Sequence, residues 1–324
     1  VREGERLVAA APLYLKAHSY GEFVFDWAWA EAHERAGLRY YPKLIGAVPF
    51  TPTSGPRLLV AADTGAAAAR AALAGAAREL AASLGCSSLH FLFCTEEEAR
   101  ELAGAGFELR TGCQFHWHNP GLASFDDYLA MLDSKHRKQV RRERREAAAA
   151  PVEIVRVAGT AASPEQWHAY HRLYRSTYDR KWGYPSLTLE FFETLGRELG
   201  DALLLVLARR GGRYVAGAHC LVGSDTLYGR NWGRSEYHRA LHFEMCYYRT
   251  IEICIERRLK RFDAGAQGEH KLARGFLPTR TWSAHWIAAP RLRRAIAAHL
   301  AEEREAVAAY LRDAERHLPF RRAG

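Results

Sequence analysis

The densest run of reactive side chains in the chain is Phe262-Asp-Ala-Gly-Ala-Gln-Gly-Glu-His-Lys271, continued by Arg274-Gly-Phe276 and Thr281-Trp-Ser-Ala-His285. Within six positions it presents Glu269, His270, Lys271 and Arg274. A carboxylate and an imidazole are the usual proton acceptors, while a lysine and an arginine hold phosphate or developing negative charge. This set suits transfer of an acyl group to an amine, in which the nucleophile loses a proton and an oxyanion must be stabilised. Glu269 is the first candidate for the proton acceptor and His270 the second, with Lys271 and Arg274 for phosphate or oxyanion. The competing reading is a solvated loop whose charges pair with one another, since loops are charged for solubility as well as for function. The position of the run at the end of a strand favours the functional reading.

The elements that must position these residues are legible around them. Arg261 to Ala264 reads as a short strand broken at Gly265, and Trp282 to Ile287 as another. A helix is expected from about His242 to Leu259. On it Glu244 shares a stripe with Tyr248, Ile251 and Ile255, so its carboxylate points toward the sheet and needs a partner. That partner is either a nearby arginine, in a structural ion pair, or a site shared with His242, Arg230 or Lys271. Upstream, Leu203–Ala208, Tyr214–Val222 and Thr226–Trp232 are strands joined by Gly211-Gly212 and Gly223-Ser-Asp225, an antiparallel meander. Before it come a strand, Val152–Val157, and two helices, one capped by Ser163 and running through Tyr178, the other Thr188–Leu199. Pro290 opens a last helix with Leu292, Ile296, Leu300, Val307, Leu311 and Leu318 on one stripe. His285 reads as a core histidine, and Trp232 and Trp282 more often pack in cores than form platforms.

In the first half, Leu7–Leu15 and Phe23–Trp29 read as strands, and Val48–Pro56 is a proline-rich connection. Thr64–Leu84 is an alanine-rich helix closed by Gly85, followed by a strand at Ser88–Cys94. Thr95 and Glu98 form a capping box for a helix ending near Gly104. Gln114–His118 alternates as a half-buried strand does. After Asn119-Pro-Gly121, Ser124 caps one long helix that carries Phe125, Leu129 and Leu132 and then turns strongly basic. Seven positive residues fall between Lys135 and Arg145. They form either a solvated face or, with Lys135, Arg137, Lys138 and Arg141, a surface for the phosphates of a nucleotide, coenzyme A or tRNA.

At 324 residues and 48% hydrophobic content the chain is long enough for two domains with real cores. Its net charge of +9 is concentrated in the basic stretch. No apolar run approaches a membrane span and the first residues are unlike a signal peptide, so a cytoplasmic location is expected. The six cysteines show no C-x-x-C pair and read as buried thiols. No His, Cys and carboxylate spacing suits a metal, and no Ser-His-Asp signature is present. No metal and no tightly bound cofactor are therefore expected. Val8-Ala-Ala-Ala, Trp27 and Tyr40-Tyr41 are echoed by Val215-Ala-Gly-Ala, Trp232 and Tyr247-Tyr248, which suggests a duplicated domain. The chain opens with Val1 inside a charged turn, as if earlier elements were missing. The oligomeric state is not legible.

Two helices, a three-stranded meander, a helix and a strand is the element order of the GCN5-related N-acetyltransferase (GNAT) fold. The chain resembles, more closely, the bacterial FemAB-like family of N-acyltransferases. The residues that carry the resemblance are Tyr14-Leu-Lys-Ala-His-Ser-Tyr-Gly-Glu22, Phe25-Asp-Trp27, Tyr40-Tyr-Pro-Lys43 and Pro49-Phe-Thr-Pro52 in the first half. In the second they are Ser134-Lys-His-Arg-Lys138, Tyr228-Gly-Arg-Asn-Trp-Gly233, His242-Phe-Glu-Met-Cys-Tyr-Tyr248, Gly265-Ala-Gln-Gly-Glu-His-Lys271 and Arg274-Gly-Phe276.

The resemblance implies an α+β fold of two tandem GNAT-like acyl-CoA N-acyltransferase domains. These are an N-terminal domain over 1–120 that is incomplete at its start, a linking basic helix over 121–150, and a C-terminal domain over 151–324. It implies an enzyme that moves an acyl or aminoacyl group from acyl-CoA or aminoacyl-tRNA to an amine acceptor such as a cell-wall precursor, with no DNA partner. The cleft would lie between the domains, and a lysine shortly after the strand at 261–264 would act on the scissile carbonyl. Acetyltransferases of this fold cradle pyrophosphate on a Q/R-x-x-G-x-G/A turn. Here Arg230-Asn-Trp-Gly-Arg-Ser-Glu-Tyr-His-Arg-Ala-Leu241 has arginines without that spacing, which weighs against acetyl-CoA. Catalytic candidates are thus Glu269, His270, Lys271 and Glu244, and donor-binding candidates are Arg230, Trp232, His242, Arg274, Lys135, Arg137, Lys138 and Arg141. Two other classes of function stand beside this one: a non-catalytic module that recognises a cell-wall precursor, and an RNA-binding protein using the basic helix.

Overall fold

The computed structural model describes residues 1–179, 184–266 and 268–321. In chain order, β1 (Tyr14–Lys16), α1 (Trp27–Arg35), β2 (Lys43–Gly46), α2 (Ala66–Ser83), β3 (Ser88–Cys94), α3 (Glu96–Gly104) and β4 (Glu108–His118) come first. Helices α4 (Phe125–Met131) and α5 (Ser134–Ala148) lead to β5 (Glu153–Ala158), α6 (Pro164–Asp179) and α7 (Leu189–Leu199). Strands β6 (Leu203–Arg210), β7 (Arg213–Val222) and β8 (Thr226–Arg234) form the meander. The helix α8 follows through Leu241–Phe243, a π-helical turn Glu244–Tyr248 and Arg249–Glu256. Strand β9 (Arg261–Asp263), a 3₁₀ turn (Glu269–Arg274), β10 (Leu277–Ile287) and α9 (Pro290–Arg316) complete the order.

Two compact units result, Val1–Gln114 with Pro278–Arg316, and Phe115–Leu277 with His317–Gly324. The basic segment, read from the sequence as a linker over 121–150, is part of the second unit, and the last helix belongs to the first. In the first unit β2 runs parallel to β3 with Leu44 opposite Leu89 and Gly46 opposite Phe91, joined through α2. Strand β1 flanks β2, and β10 pairs antiparallel with β3. Helix α2 buries Ala69, Leu73, Ala77 and Ala81 at helical spacing against Leu44, Leu89 and Phe91.

In the second unit the order is β4, β9, β8, β7, β6, β5. The meander pairs Leu203 with Leu221 and Val222 with Leu227, with register shifts between Ala208 and Arg209 and between Ala218 and Cys220. The inner residues Leu203, Leu205 and Leu207 pack on Trp167, Tyr170, Tyr174 and Phe192 of α6 and α7. Gly233 has a steric reason: a Cβ there would lie 1.9 Å from the carbonyl oxygen of Leu173, so only glycine lets α6 approach β8. Strand β9 pairs parallel with β8, Thr226 opposite Arg261 and Tyr228 opposite Asp263. Each unit thus contains a strand, a helix and a parallel strand. Among the described residues no helix is long and apolar enough to cross a membrane.

Several expectations are corrected. Phe23–Trp29 is not a strand: α1 begins at Trp27, because Trp29 and His33 bury one helical face while the apparent alternation before them lies in irregular chain. The apolar stretch 7–15 forms only two- and three-residue strands. The long helix after Ser124 is two helices. Leu132 is extended at φ −75°, ψ 147°, and Asp133 starts α5 by accepting from the His136 amide at 2.9 Å. The echo between Tyr40-Tyr41 and Tyr247-Tyr248 does not join equivalent positions, since the first pair precedes β2 and the second lies in the π turn of α8. Leu318 falls beyond the end of α9.

The capping box at Thr95 forms in both directions, and Glu98 reaches further, accepting from the amides of Arg57 at 2.9 Å and Leu58 at 2.8 Å. One buried carboxylate thus satisfies backbone from two segments. Thr95→Ala is expected to cost about 1 kcal/mol. Glu98→Ala, which strands several buried amides, should cost roughly 3 kcal/mol, as read by urea denaturation. Equal losses for the two variants would refute this ranking.

Candidate functional site

In the second unit the parallel ladder between β8 and β9 is short. It ends at Tyr228 and Asp263, whereas β8 runs on to Arg234 beside β7. A cavity of about 80 Å³ lies along this extension. His219 and Cys220 of β7, Arg230 and Trp232 of β8, and His242, Cys246 and Tyr247 of α8 line it. Three donor-binding candidates, Arg230, Trp232 and His242, therefore share one cavity, with the rings of Trp232 and His242 edge to face at 5.2 Å.

Lys271 sits at the end of the parallel ladder. It is buried, and its Nζ donates to the carbonyl oxygens of Ala264 at 3.0 Å and Gly265 at 2.7 Å. Burial pushes its ammonium down to about 8, with Asp263 partly opposing the shift. Asp263 is itself buried and accepts from the Gly265 amide at 2.9 Å. Its charge also counters the burial that lowers Arg230. Next to this charged group lie imidazoles held neutral. Burial lowers His242 to about 4 and His219 to about 3, and His219 Nδ1 lies 2.5 Å from the Tyr170 hydroxyl. The arrangement buries an ammonium behind the cavity wall at Ala264, and the cavity itself holds one guanidinium, Arg230, beside imidazoles that resist protonation.

The 3₁₀ turn carries two more candidates, and the ring of one, His270, lies 6.3 Å from that of His242. His270 is exposed and its Nε2 lies 2.8 Å from the Tyr247 hydroxyl, which ties the 3₁₀ turn to α8. Glu269 is exposed at the start of that turn. Gln267, part of the same motif, lies outside the described residues.

Arg274 is buried, and its guanidinium is engaged inside the unit. It donates to Tyr248 Oη at 3.0 Å, to the His270 carbonyl at 2.6 Å and to Glu143 Oε2 at 2.7 Å, and it lies 3.7 Å from the Phe243 ring centroid. It builds the site and does not line the cavity. Glu244 faces Arg144 and Arg249, at 3.1 and 2.9 Å, in a buried ion-pair cluster. Burial pushes its pKa up while the two arginines pull it back. Glu244 is buried along with Tyr248, Ile251 and Ile255, as the stripe read from the sequence requires, and its partners are arginines in a structural ion pair.

On α5, Val140, Glu143 and Ala147 face inward. Lys135, Lys138, Arg141, Arg142 and Arg145 line an open basic surface. Arg137 is turned away from it, its Nη1 3.4 Å from the Leu132 carbonyl. The sequence reading missed His219, Tyr170, Cys246, Tyr247 and Asp263. Asp263 and His219 carried a signal, a polar residue inside an apolar strand. Among the described residues no group of three or more His, Cys, Asp and Glu is placed to hold a metal.

A family model described as FemAB-like, peptidoglycan biosynthesis/recognition, matches residues 1–322. The chain belongs to that family. Among solved structures it is similar to the C-terminal domain (DUF2156) of a putative lysylphosphatidylglycerol synthetase from Agrobacterium fabrum. That match has 10% identity, a TM-score of 0.56, and covers 82% of each chain. A structure of L-PGS from Bacillus licheniformis matches at 9% identity and TM-score 0.53, over 79% of this chain and 82% of that one. FemX matches at 12% identity and TM-score 0.50, over 78% of this chain and 85% of that one. No curated protein sequence matches the chain.

Two measurements probe this geometry. Arg274→Met leaves Glu143 buried without its cation and is expected to cost about 3–5 kcal/mol, whereas the double variant with Glu143→Met should lose less. A double variant less stable than the single one would contradict the pairing. For Lys271 the folded pKa of about 8 lies below its ordinary 10.5, so in that window the unfolded chain holds more proton and stability rises with pH. The difference in unfolding free energy between the lysine protein and Lys271→Met should therefore move toward the lysine protein by about 3 kcal/mol between pH 7 and 10.5. A difference that stays flat with pH would mean that Lys271 titrates as an exposed lysine does.

Proposed function

We propose that the chain is a transferase that moves an aminoacyl or acyl group to an amine on a cell-envelope component, with the reaction centre where β8 leaves β9. The observation that carries the reading is Lys271, an ammonium fixed by two carbonyls at the end of the short parallel ladder, beside the cavity lined by Arg230 and His242. With a pKa of about 8 it is mostly protonated at neutral pH, and two of its three N–H bonds are taken. In this reading the third is the one that would meet an oxyanion. In the step, the amine nitrogen attacks the donor carbonyl carbon and the C–N bond forms. The donor's C–O or C–S bond breaks, and the amine proton leaves with the departing group or to solvent. A fixed donor aimed at the developing oxyanion stabilises the transition state more than the substrate.

Aminoacyl-tRNA is the donor favoured by α5, whose five cationic side chains form an open face suited to backbone phosphates. Family membership and the likeness to a protein titled a putative lysylphosphatidylglycerol synthetase support the same class of reaction. The test is single-turnover transfer from aminoacyl-tRNA and from acyl-CoA to amine-bearing wall precursors. Lys271→Met is expected to lower kcat/KM about 100-fold or more with the fold retained. Reversing Lys138, Arg141 and Arg145 to Glu should weaken tRNA binding and flatten its salt dependence by roughly 0.7–0.9 in log–log slope for each phosphate no longer neutralised. Full turnover in a folded Lys271→Met protein would sink the reading, and turnover with acyl-CoA alone would move the donor to a thioester.

A further inference from the structure

Residues 19–27 of the first unit invert the usual placement of polar and apolar groups. Ser19, Glu22 and Asp26 are buried, while Tyr20, Phe23, Phe25 and Trp27 are 68%, 39%, 61% and 43% exposed. The inversion is fixed from beneath. Lys43, fully buried on β2, donates to Ser19 Oγ at 2.7 Å, to Glu22 Oε2 at 2.8 Å and to Asp26 Oδ2. Tyr40 donates to the same Asp26 oxygen at 2.5 Å. Asp26 stands at the N-cap position of α1 yet makes no capping bond, because its carboxylate is committed to Lys43 and Tyr40. Phe23 takes a left-handed φ of 59°, which its Cβ disfavours. Above this base, Tyr20 meets Trp27 edge to face at 5.6 Å and His18 lies 5.4 Å from Tyr20. The result is a row of solvent-facing rings on a buried ionic anchor, the kind of exposed aromatic patch that marks a recognition surface.

The surrounding charge narrows the occupant. Between residues 14 and 35 the charged side chains that are not buried are Lys16 and Arg35 against Glu31 and Glu34, two of each sign, and Arg110, which donates to the Phe25 carbonyl, is paired with Glu303. An anionic bilayer or a polyphosphate calls for a basic rim, which this patch lacks. Flat ring faces with polar edges, namely a phenol, an imidazole and an indole N–H, suit a ligand that is apolar on one face and hydroxylated at its rim. We infer that residues 18–27 form a saccharide-binding surface that takes an uncharged pyranose ring. The choice of an N-acetylated wall sugar rests on the cell-envelope reading above.

The test is calorimetric titration of the full chain with chitotriose. Saturable binding is expected, weakened about tenfold or more by Trp27→Ala and by Tyr20→Ala, both exposed positions whose loss leaves the core intact. Tyr184→Ala, an exposed aromatic of the other unit, should bind as the parent does. The absence of saturable binding, or undiminished binding by both ring variants, would overturn the inference. So would vesicle binding or self-association that depends on Trp27 and Tyr20 in place of sugar binding. Saccharide binding without turnover from any donor would leave this surface standing and remove the transferase reading; turnover without saccharide binding would do the reverse.

Discussion

The second unit depends on one buried contact, the guanidinium of Arg274 against the carboxylate of Glu143. Arg274 lies at the end of the 3₁₀ turn, Glu143 on the inner face of α5, and Tyr248 on α8 donates to the same Glu143 oxygen. The backbone oxygen of Arg274 accepts from Tyr128 of α4 at 3.1 Å, so a fourth element joins the same point. A buried ion pair contributes little net stability by itself, because desolvation offsets the attraction. Its effect here is on geometry. Each partner is satisfied only when all four elements are in place, which fixes where the turn begins and therefore where Lys271, three residues earlier, can point.

That placement gives a titratable ammonium a defined post. Lys271 is held by carbonyl oxygens, which carry no full charge, and the burial that lowers its pKa is opposed by Asp263 and Cys246 without being cancelled. The same low-polarity surroundings keep His242 and His219 uncharged. Two positive charges, Lys271 and the Arg230 that lines the cavity, beside neutral imidazoles favour an anionic group in the cavity, where screening by water is weak. Glu269 is exposed, whereas burial also lowers His270, which is bonded to Tyr247 of the cavity wall.

Much of the fold was legible in the sequence because local signals agreed with each other. The Thr95–Glu98 box, the Gly211-Gly212 turn and the alternating meander strands appear at the residues that predict them. The opening segment was not legible, since aromatics that alternate like a buried strand face solvent there while Glu22 and Asp26 are inside. Only Lys43, some twenty residues away, makes that arrangement possible, and no local window contains it. At the site, the density of charge marked Lys271 and Arg274 but not their different tasks. Arg274 is a structural hub through Glu143, 131 positions distant, and Glu244 finds Arg144 a hundred positions upstream. Long-range pairing leaves no trace in residue spacing.

The two units use one strand–helix–strand pattern with opposite outcomes. Past the parallel ladder of the first unit, the carbonyls of β3 are taken by the chain's own return segment: Arg57 Nε donates to Leu92 at 2.7 Å and the Gly55 amide to Phe93 at 3.0 Å. That segment is pinned by Glu98 through the amides of Arg57 and Leu58, so backbone and guanidinium together close over the strand end. Past the ladder of the second unit, the carbonyls of Ala264 and Gly265 are met by a lysine side chain, and the strand extension opposite borders a cavity. Buried carbonyls require donors in both cases. Meeting that requirement with backbone seals the end of the ladder, whereas meeting it with the tip of one side chain leaves room beside it and puts a proton donor behind the cavity wall.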